Sequence, residues 1–103
     1  MDAPFQWWLT SLGRVVIWAG VREMPAGTAQ VIDSDGNLMA YDSLDSAVAA
    51  LMDANFIAHD GMDDDDADQL GFLLGELSVP VGDDPDVLHP QLVQKLDKQP
   101  TRN

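Results

Sequence analysis

The stretch from residue 14 to residue 23 constrains the fold most, because it is dense in Val, Ile and Trp and its side chains alternate between two faces. One face carries Val15, Ile17, Ala19 and Val21, and the other carries Val16, Trp18, Gly20 and Arg22. Apolar residues on both faces at its start indicate a central strand that is covered on both sides.

Two turn signals follow this strand. Pro25-Ala26-Gly27 is typical of a turn, and residues 33–37 have the Asp-Gly chemistry of a hairpin. Residues 28–33 and 38–41 are therefore predicted to be the second and third strands. Because short turns join neighbouring strands in opposite directions, the three strands are predicted to form an antiparallel meander.

The N-terminal residues have a helical spacing. Phe5, Trp8, Leu9 and Leu12 fall at positions i, i+3, i+4 and i+7, which share one face of a helix. Gly13 is suited to end such a helix. We therefore predict a short N-terminal helix over residues 3–12.

Two further helices are predicted to pack on the meander. Asp42-Ser43 is a capping sequence, and the apolar residues after it keep the helical period as far as Phe56. Residues 66–77 repeat that period with Ala67, Leu70, Leu73, Leu74 and Leu77. Because a three-stranded sheet needs a cover over its apolar face, the predicted fold class is α+β.

Residues 1–87 are predicted to form a single α+β domain, and residues 88–103 a C-terminal tail. The tail is basic overall. A short helix is predicted in it after Pro90, formed around Leu92, Val93 and Leu96.

The charge of the chain is strongly unbalanced. Eighteen acids against five bases give a net charge of −13, and residues 60–68 hold six carboxylates and no cation. Such a surface repels itself and attracts cations or basic proteins, and it disfavours anionic membranes and direct contact with nucleic acid. Small acidic DNA mimics and toxin immunity proteins are similar to this chain in size and charge, a likeness of composition that specifies no residue.

We therefore expect a non-enzymatic binding protein whose Asp-rich face engages a basic partner, as a nucleic-acid mimic, an inhibitor or an immunity-type protein. The residues expected to provide the negative electrostatic potential of this face are Asp60, Asp63, Asp64, Asp65, Asp66, Asp68, Asp83, Asp84 and Asp86. Trp7 and Phe72 are the candidate apolar anchors beside the charges, since affinity usually needs a buried anchor.

Two alternatives stay open. Clustered Asp side chains are ligands that calcium prefers, but residues 33–37 do not match an EF-hand loop: Gly36 stands at the fourth place and Leu44 at the twelfth. A structural or assembly subunit, with a homodimer formed through the apolar N-terminal helix, is the other alternative.

Catalysis and cofactor binding are not expected. The chain has no Cys and no nucleophile or phosphate-binding motif, and its two histidines, His59 and His89, lack a metal-binding spacing. His59 beside Asp60 is at most a proton-transfer pair. The longest apolar run, residues 15–21, is too short to span a bilayer, so we expect a cytoplasmic protein.

Overall fold

The computed structural model describes residues 5–82 and 84–95. In this part of the chain six strands form one antiparallel sheet, in the order β4-β3-β2-β1-β5, with β6 paired to β2. The strands are β1 Gln6–Leu12, β2 Val15–Glu23, β3 Ala29–Ile32, β4 Leu38–Tyr41, β5 Ile57–Ala58 and β6 Val93–Lys95. The helices are α1 Leu44–Asp53, α2 Asp64–Leu70 and α3 Pro85–Leu88, with 3₁₀ turns at Leu74–Glu76 and His89–Gln91.

Strand β2 is the centre of the sheet, as its alternating pattern indicates. Val16 and Trp18 are buried on one face, and Ala19 and Val21 are buried on the other. One edge of β2 pairs with β1 along its length, whereas the other edge is divided between β3 and β6. The central strand therefore fixes the position of every layer around it.

The predicted N-terminal helix is wrong, and so is the three-stranded meander. The described part of that segment is β1, which runs antiparallel to β2 from the Gln6–Val21 pair to the Leu12–Val15 pair. A two-residue loop joins them, and Gly13 supplies its positive φ of 59° at the first central position, which favours a tight hairpin. The helical spacing of the apolar residues is overridden because β2 offers β1 a continuous ladder.

Helix α1 lies where the capping sequence predicts it. The Ser43 hydroxyl accepts a hydrogen bond from the Ser46 backbone N–H, which is the usual N-cap contact. Ala47 and Leu51 are buried on its inner face. This face packs on one side of the sheet, over Ala19, Val21, Ala29 and Val31. The helix ends before Asn55, whose φ of 68° is left-handed.

The predicted helix over residues 66–77 is also corrected. Helix α2 begins at Asp64 and ends at Leu70, because Gly71 takes a left-handed conformation with φ 92°. The leucine period continues past Gly71 in the sequence, but the chain turns and buries Phe72 in the core instead. Leu73 is left exposed.

The C-terminal segment contributes a strand rather than a helix after Pro90. Leu88 and Leu92 are fully buried, and the Trp18 backbone N–H donates to the Leu92 carbonyl at 2.7 Å. Strand β6 then pairs with the start of β2, so residues 88–95 belong to the same core as the strands. The predicted boundary after residue 87 falls inside α3, and Leu96 lies outside the described residues.

The second side of the sheet is covered by α2, α3 and the turns around them. The buried cluster there comprises Phe5, Leu9, Val16, Trp18, Ile32, Ala67, Phe72, Leu88 and Leu92. Full burial of one large apolar side chain stabilises the fold by about 1.5–3 kcal/mol. This cluster therefore holds the acidic segments, which carry few apolar residues of their own, against the sheet.

Candidate acidic recognition surface

The start of α2 uses two carboxylates of the Asp run for its own backbone. Asp63 Oδ1 accepts a hydrogen bond from the Asp66 N–H at 2.9 Å, and the Asp63 N–H donates to Asp66 Oδ2 at 3.3 Å. This reciprocal pair is a capping box, which satisfies backbone donors that a helix start leaves open. Asp63 and Asp66 therefore have a structural role in the helix.

The other carboxylates of the run have no such role. Asp60, Asp64, Asp65 and Asp68 are exposed, and none forms a hydrogen bond or an ion pair through its side chain with another described residue. Ala67, between them, is fully buried and anchors the inner face of α2. The unengaged carboxylates consequently point away from the core.

A second acidic group lies on α3. Asp84 caps this short helix, since its Oδ1 accepts from the Asp86 N–H at 2.9 Å, while the Asp86 side chain is exposed. Asp83 lies outside the described residues. Ala67 of α2 and Leu88 of α3 belong to the same buried cluster, so the two acidic helices cover the same side of the sheet. We call the exposed, unengaged carboxylates of this side the acidic surface: Asp60, Asp64, Asp65, Asp68 and Asp86.

The two candidate anchors are placed very differently. Phe72 is 2% exposed, so its ring has almost no surface to offer a partner. Trp7 is half-buried, and its ring lies over Gly20, where an added Cβ would come within 2.9 Å of it. It also contacts Phe5 and Trp18, with ring centroids 5.7 and 6.5 Å apart. Of the two, only Trp7 combines a packed position with an accessible part.

The two histidines are engaged in packing, and one acid of the β3–β4 turn is engaged in hydrogen bonds. The His59 ring lies 5.6 Å from that of Trp18, and His89 packs on Gly36, where an added Cβ would come within 2.9 Å of its ring. Asp33 Oδ1 accepts from the backbone N–H groups of Asp35 and Asn37, each at 3.0 Å. Residues 33–37, which were compared with a calcium-binding loop above, thus form the β3–β4 hairpin turn. Within residues 5–82 and 84–95, no group of three or more His, Asp or Glu side chains is arranged to hold a metal ion.

An ion pair lies at the β1–β2 loop, where Arg14 also donates to the carbonyl of Gly71, at the end of α2, at 3.1 Å. The Arg14 guanidinium donates to Glu76 Oε2, and the Leu73 N–H donates to Glu76 Oε1 at 2.7 Å. The contact with Arg14, followed by the hydrogen bond from Leu73, lowers the pKa of Glu76 below its usual range. Unlike the acidic surface, this carboxylate has a cation of the same chain beside it.

The outer edge of β4 is a feature that the sequence interpretation passed over. Leu38 and Met39 are 42% and 38% exposed there, and β4 has no described neighbour beyond β3. The signal was present, because the last strand of a predicted meander must lie at an edge.

Comparison with protein-family models, with curated proteins and with solved structures finds no match for this chain. Among the described helices none has the length and apolar character that crossing a membrane requires.

Proposed function

We propose that this protein is a small, non-enzymatic binding protein whose acidic surface engages a basic protein partner. It would act as a nucleic-acid mimic, an inhibitor or an immunity-type protein. One observation carries the proposal: the carboxylates of the acidic surface are exposed, and within the described residues none of them forms an ion pair. The sequence also has no Lys or Arg between Arg22 and Lys95. Because the chain has no Cys, we further propose that the interaction takes place in the reducing cytoplasm.

The scaffold beneath these charges supports recognition. Asp side chains are short, so a carboxylate on a helix stays close to the backbone that positions it. Asp64 and Asp68 are one helical turn apart, a spacing at which like charges repel by a few tenths of a kcal/mol. A basic partner would relieve this repulsion, and its approach would be steered by the field and weakened by salt.

The test compares two double variants on an affinity matrix. Asp64→Asn/Asp68→Asn removes two charges from the acidic surface, and Glu23→Gln/Asp53→Asn removes two exposed charges elsewhere. A lysate of the source organism is passed over the wild type and both variants and eluted with increasing salt. We expect basic proteins to be retained by the wild type and the control variant and released at moderate salt, and the first variant to lose them.

Duplex DNA added before elution separates a mimic from other acidic binders. A mimic occupies the surface that its partner uses for nucleic acid, so the duplex should displace the retained proteins. Retention of the same proteins by Asp64→Asn/Asp68→Asn would contradict the role of the acidic surface. Retention that the duplex leaves unchanged would exclude mimicry and leave an inhibitor or immunity function.

A further inference from the structure

The hydrogen-bond pattern of the β3–β4 hairpin determines which backbone N–H and C=O groups of β4 point outward at its free edge. The Asp33 N–H donates to the Asn37 carbonyl at 3.0 Å, so residues 33 and 37 are a hydrogen-bonded pair. Such pairs alternate along an antiparallel ladder, and the register then makes Met39 and Tyr41 the residues that bond to β3. The backbone N–H and C=O groups of Leu38 and Ala40 therefore point outward.

The hydrogen bonds between β2 and β3 independently predict the same pattern for β4. The Met24 N–H donates to the Thr28 carbonyl at 2.8 Å, so Gln30 and Ile32 bond to β2. Ala29 and Val31 are then left to bond to β4, opposite Tyr41 and Met39. Nothing in the described part of the chain pairs with the outward groups of Leu38 and Ala40.

This edge lacks the usual protection. Sheet edges are commonly guarded by Lys, by Pro or by bulges, and β4 has only its short length of four residues. The edge strand β6, by contrast, carries Lys95. Exposed apolar side chains at Leu38 and Met39 add contact surface to the open backbone.

Carboxylates stand at both ends of this edge. Asp35 is exposed in the turn before β4, and Asp42 and Asp45 are exposed directly after it. His89, three residues after Asp86, packs on Gly36 of the same turn, so the turn end of this edge lies next to the end of α3. The exposed charged side chains at these two ends are all carboxylates.

We propose that the outer edge of β4 binds an extended, basic peptide segment of the partner as an added strand. The backbone groups of Leu38 and Ala40 provide the ladder bonds, and the flanking carboxylates attract Lys or Arg side chains at the two ends. The inference rests on the proposed function in one respect, that the partner is basic. It adds the manner of contact: backbone pairing at one edge.

A second copy of this chain fits the edge less well. Pairing β4 with β4 of another molecule in antiparallel register would bring the turn acids of one copy toward Asp42 and Asp45 of the other. Each copy also carries a net charge of −13. Like charges at close range disfavour that pairing, whereas a basic strand is attracted.

The probe is a fluorescein-labelled nine-residue peptide in which Lys alternates with Val or Thr. A matched peptide has the same sequence with a D-residue at every second position, which keeps its charge and prevents a regular strand. Fluorescence anisotropy at low salt measures both affinities for the full-length protein. We expect the all-L peptide to bind about tenfold more tightly, the factor that one to two ladder hydrogen bonds supply.

The protein variant Ala40→Pro tests the same contact from the other side. Proline removes one outward N–H, and the β3–β4 ladder keeps its bonds because Ala40 makes none of them. We expect about a fivefold to tenfold loss of affinity for the all-L peptide and no change for the mixed peptide. Ala40→Thr keeps the N–H and should bind as the wild type does. Urea unfolding of each variant verifies that the sheet is intact, and Leu38→Pro serves as a second variant should Ala40→Pro fail to fold.

The outcomes separate the two proposals. Equal binding of both peptides, unchanged by Ala40→Pro, would overturn strand addition and leave the acidic surface as an electrostatic binder. Failure of both peptides to bind at low salt would overturn both proposals. A wild-type dimer in sedimentation that Ala40→Pro dissociates would show that a second copy occupies the edge, which also overturns a basic partner strand.

Discussion

The β3–β4 turn and the start of α2 are both short acidic segments, but they use their carboxylates differently. In the turn, Asp33 accepts two backbone N–H groups and holds the hairpin closed. At α2, Asp63 and Asp66 satisfy each other's backbone, while Asp64, Asp65 and Asp68 accept nothing from the described chain. An Asp run therefore contains two populations, one that holds the fold and one that is available to a partner.

This difference separates stability from binding. A carboxylate that accepts backbone N–H bonds contributes to folding, because its removal leaves donors without a partner. An exposed carboxylate among others of the same sign contributes no such bond and adds repulsion. Substitutions in the two populations should consequently change different measurements.

The largest expected effect is the loss of binding when carboxylates of the acidic surface are neutralised. Asp64→Asn/Asp68→Asn should weaken binding of a nona-arginine probe by about tenfold at low salt, and the loss should shrink as salt screens the remaining charges. The free energy of unfolding should stay within about 0.5 kcal/mol of the wild type. Titration by fluorescence anisotropy at several salt concentrations measures the first effect, and urea unfolding the second. An equal loss of binding in Glu23→Gln/Asp53→Asn would show that only the net charge matters.

The turn carboxylate should have the next largest effect, on stability. Asp33→Ala removes the acceptor of two backbone N–H groups, so we expect the free energy of unfolding to fall by about 1–2 kcal/mol. Asp35→Ala, in the same turn, removes an exposed side chain that accepts no described hydrogen bond and should change stability by less than about 0.5 kcal/mol. Urea unfolding of both variants makes the comparison. Equal losses would mean that the turn depends on its charge rather than on these bonds.

The helix cap should have a somewhat smaller effect. Asp63→Ala removes one member of the capping box and should cost about 1 kcal/mol of unfolding free energy. Asp63→Ser keeps an oxygen that can accept the Asp66 N–H and should restore most of that loss. Thermal and urea unfolding of both variants measure the change in unfolding free energy. A serine variant as unstable as the alanine variant would indicate that the negative charge at the helix start, and not the hydrogen bond, stabilises α2.

Where the sequence interpretation of the fold succeeded, the pattern was long or locally capped. Strand β2 has nine residues of consistent alternation, and α1 has a cap followed by an apolar face. The prediction for the N-terminal segment failed because Trp7 and Trp8 are adjacent. Its apolar residues therefore fit a helical period and a strand period equally well. Pairing with β2 determines that the segment is a strand and not a helix, and the spacing of residues within the segment does not reveal that pairing.

The remaining errors have similar causes. The leucine period after Gly71 continues in the sequence although the backbone there turns left-handed. Strand β6 exists because β3 leaves half of one edge of β2 unpaired, which depends on the whole sheet. For the candidate site, composition predicted the charge. Which carboxylates the backbone uses depends on the residues at which the helix and the turn begin, and the burial of Phe72 follows from tertiary packing.

The smallest expected effect concerns the one acid described here that a cation of the chain engages. Because Arg14, followed by the Leu73 N–H, lowers the pKa of Glu76 in the folded protein, this carboxylate stabilises the fold at pH values above its unfolded pKa of about 4.3. The contribution is lost as the pH falls through the lower, folded pKa. The difference in unfolding free energy between the wild type and Glu76→Gln should thus be constant above about pH 5 and decline below it. In an Arg14→Met background the decline should largely disappear, because the main cause of the lowered pKa is removed. An unchanged decline in that background would assign the effect to the Leu73 backbone instead, and the half-buried Glu76 carboxylate would then depend, like Asp33 and Asp63, on the chain's own N–H groups.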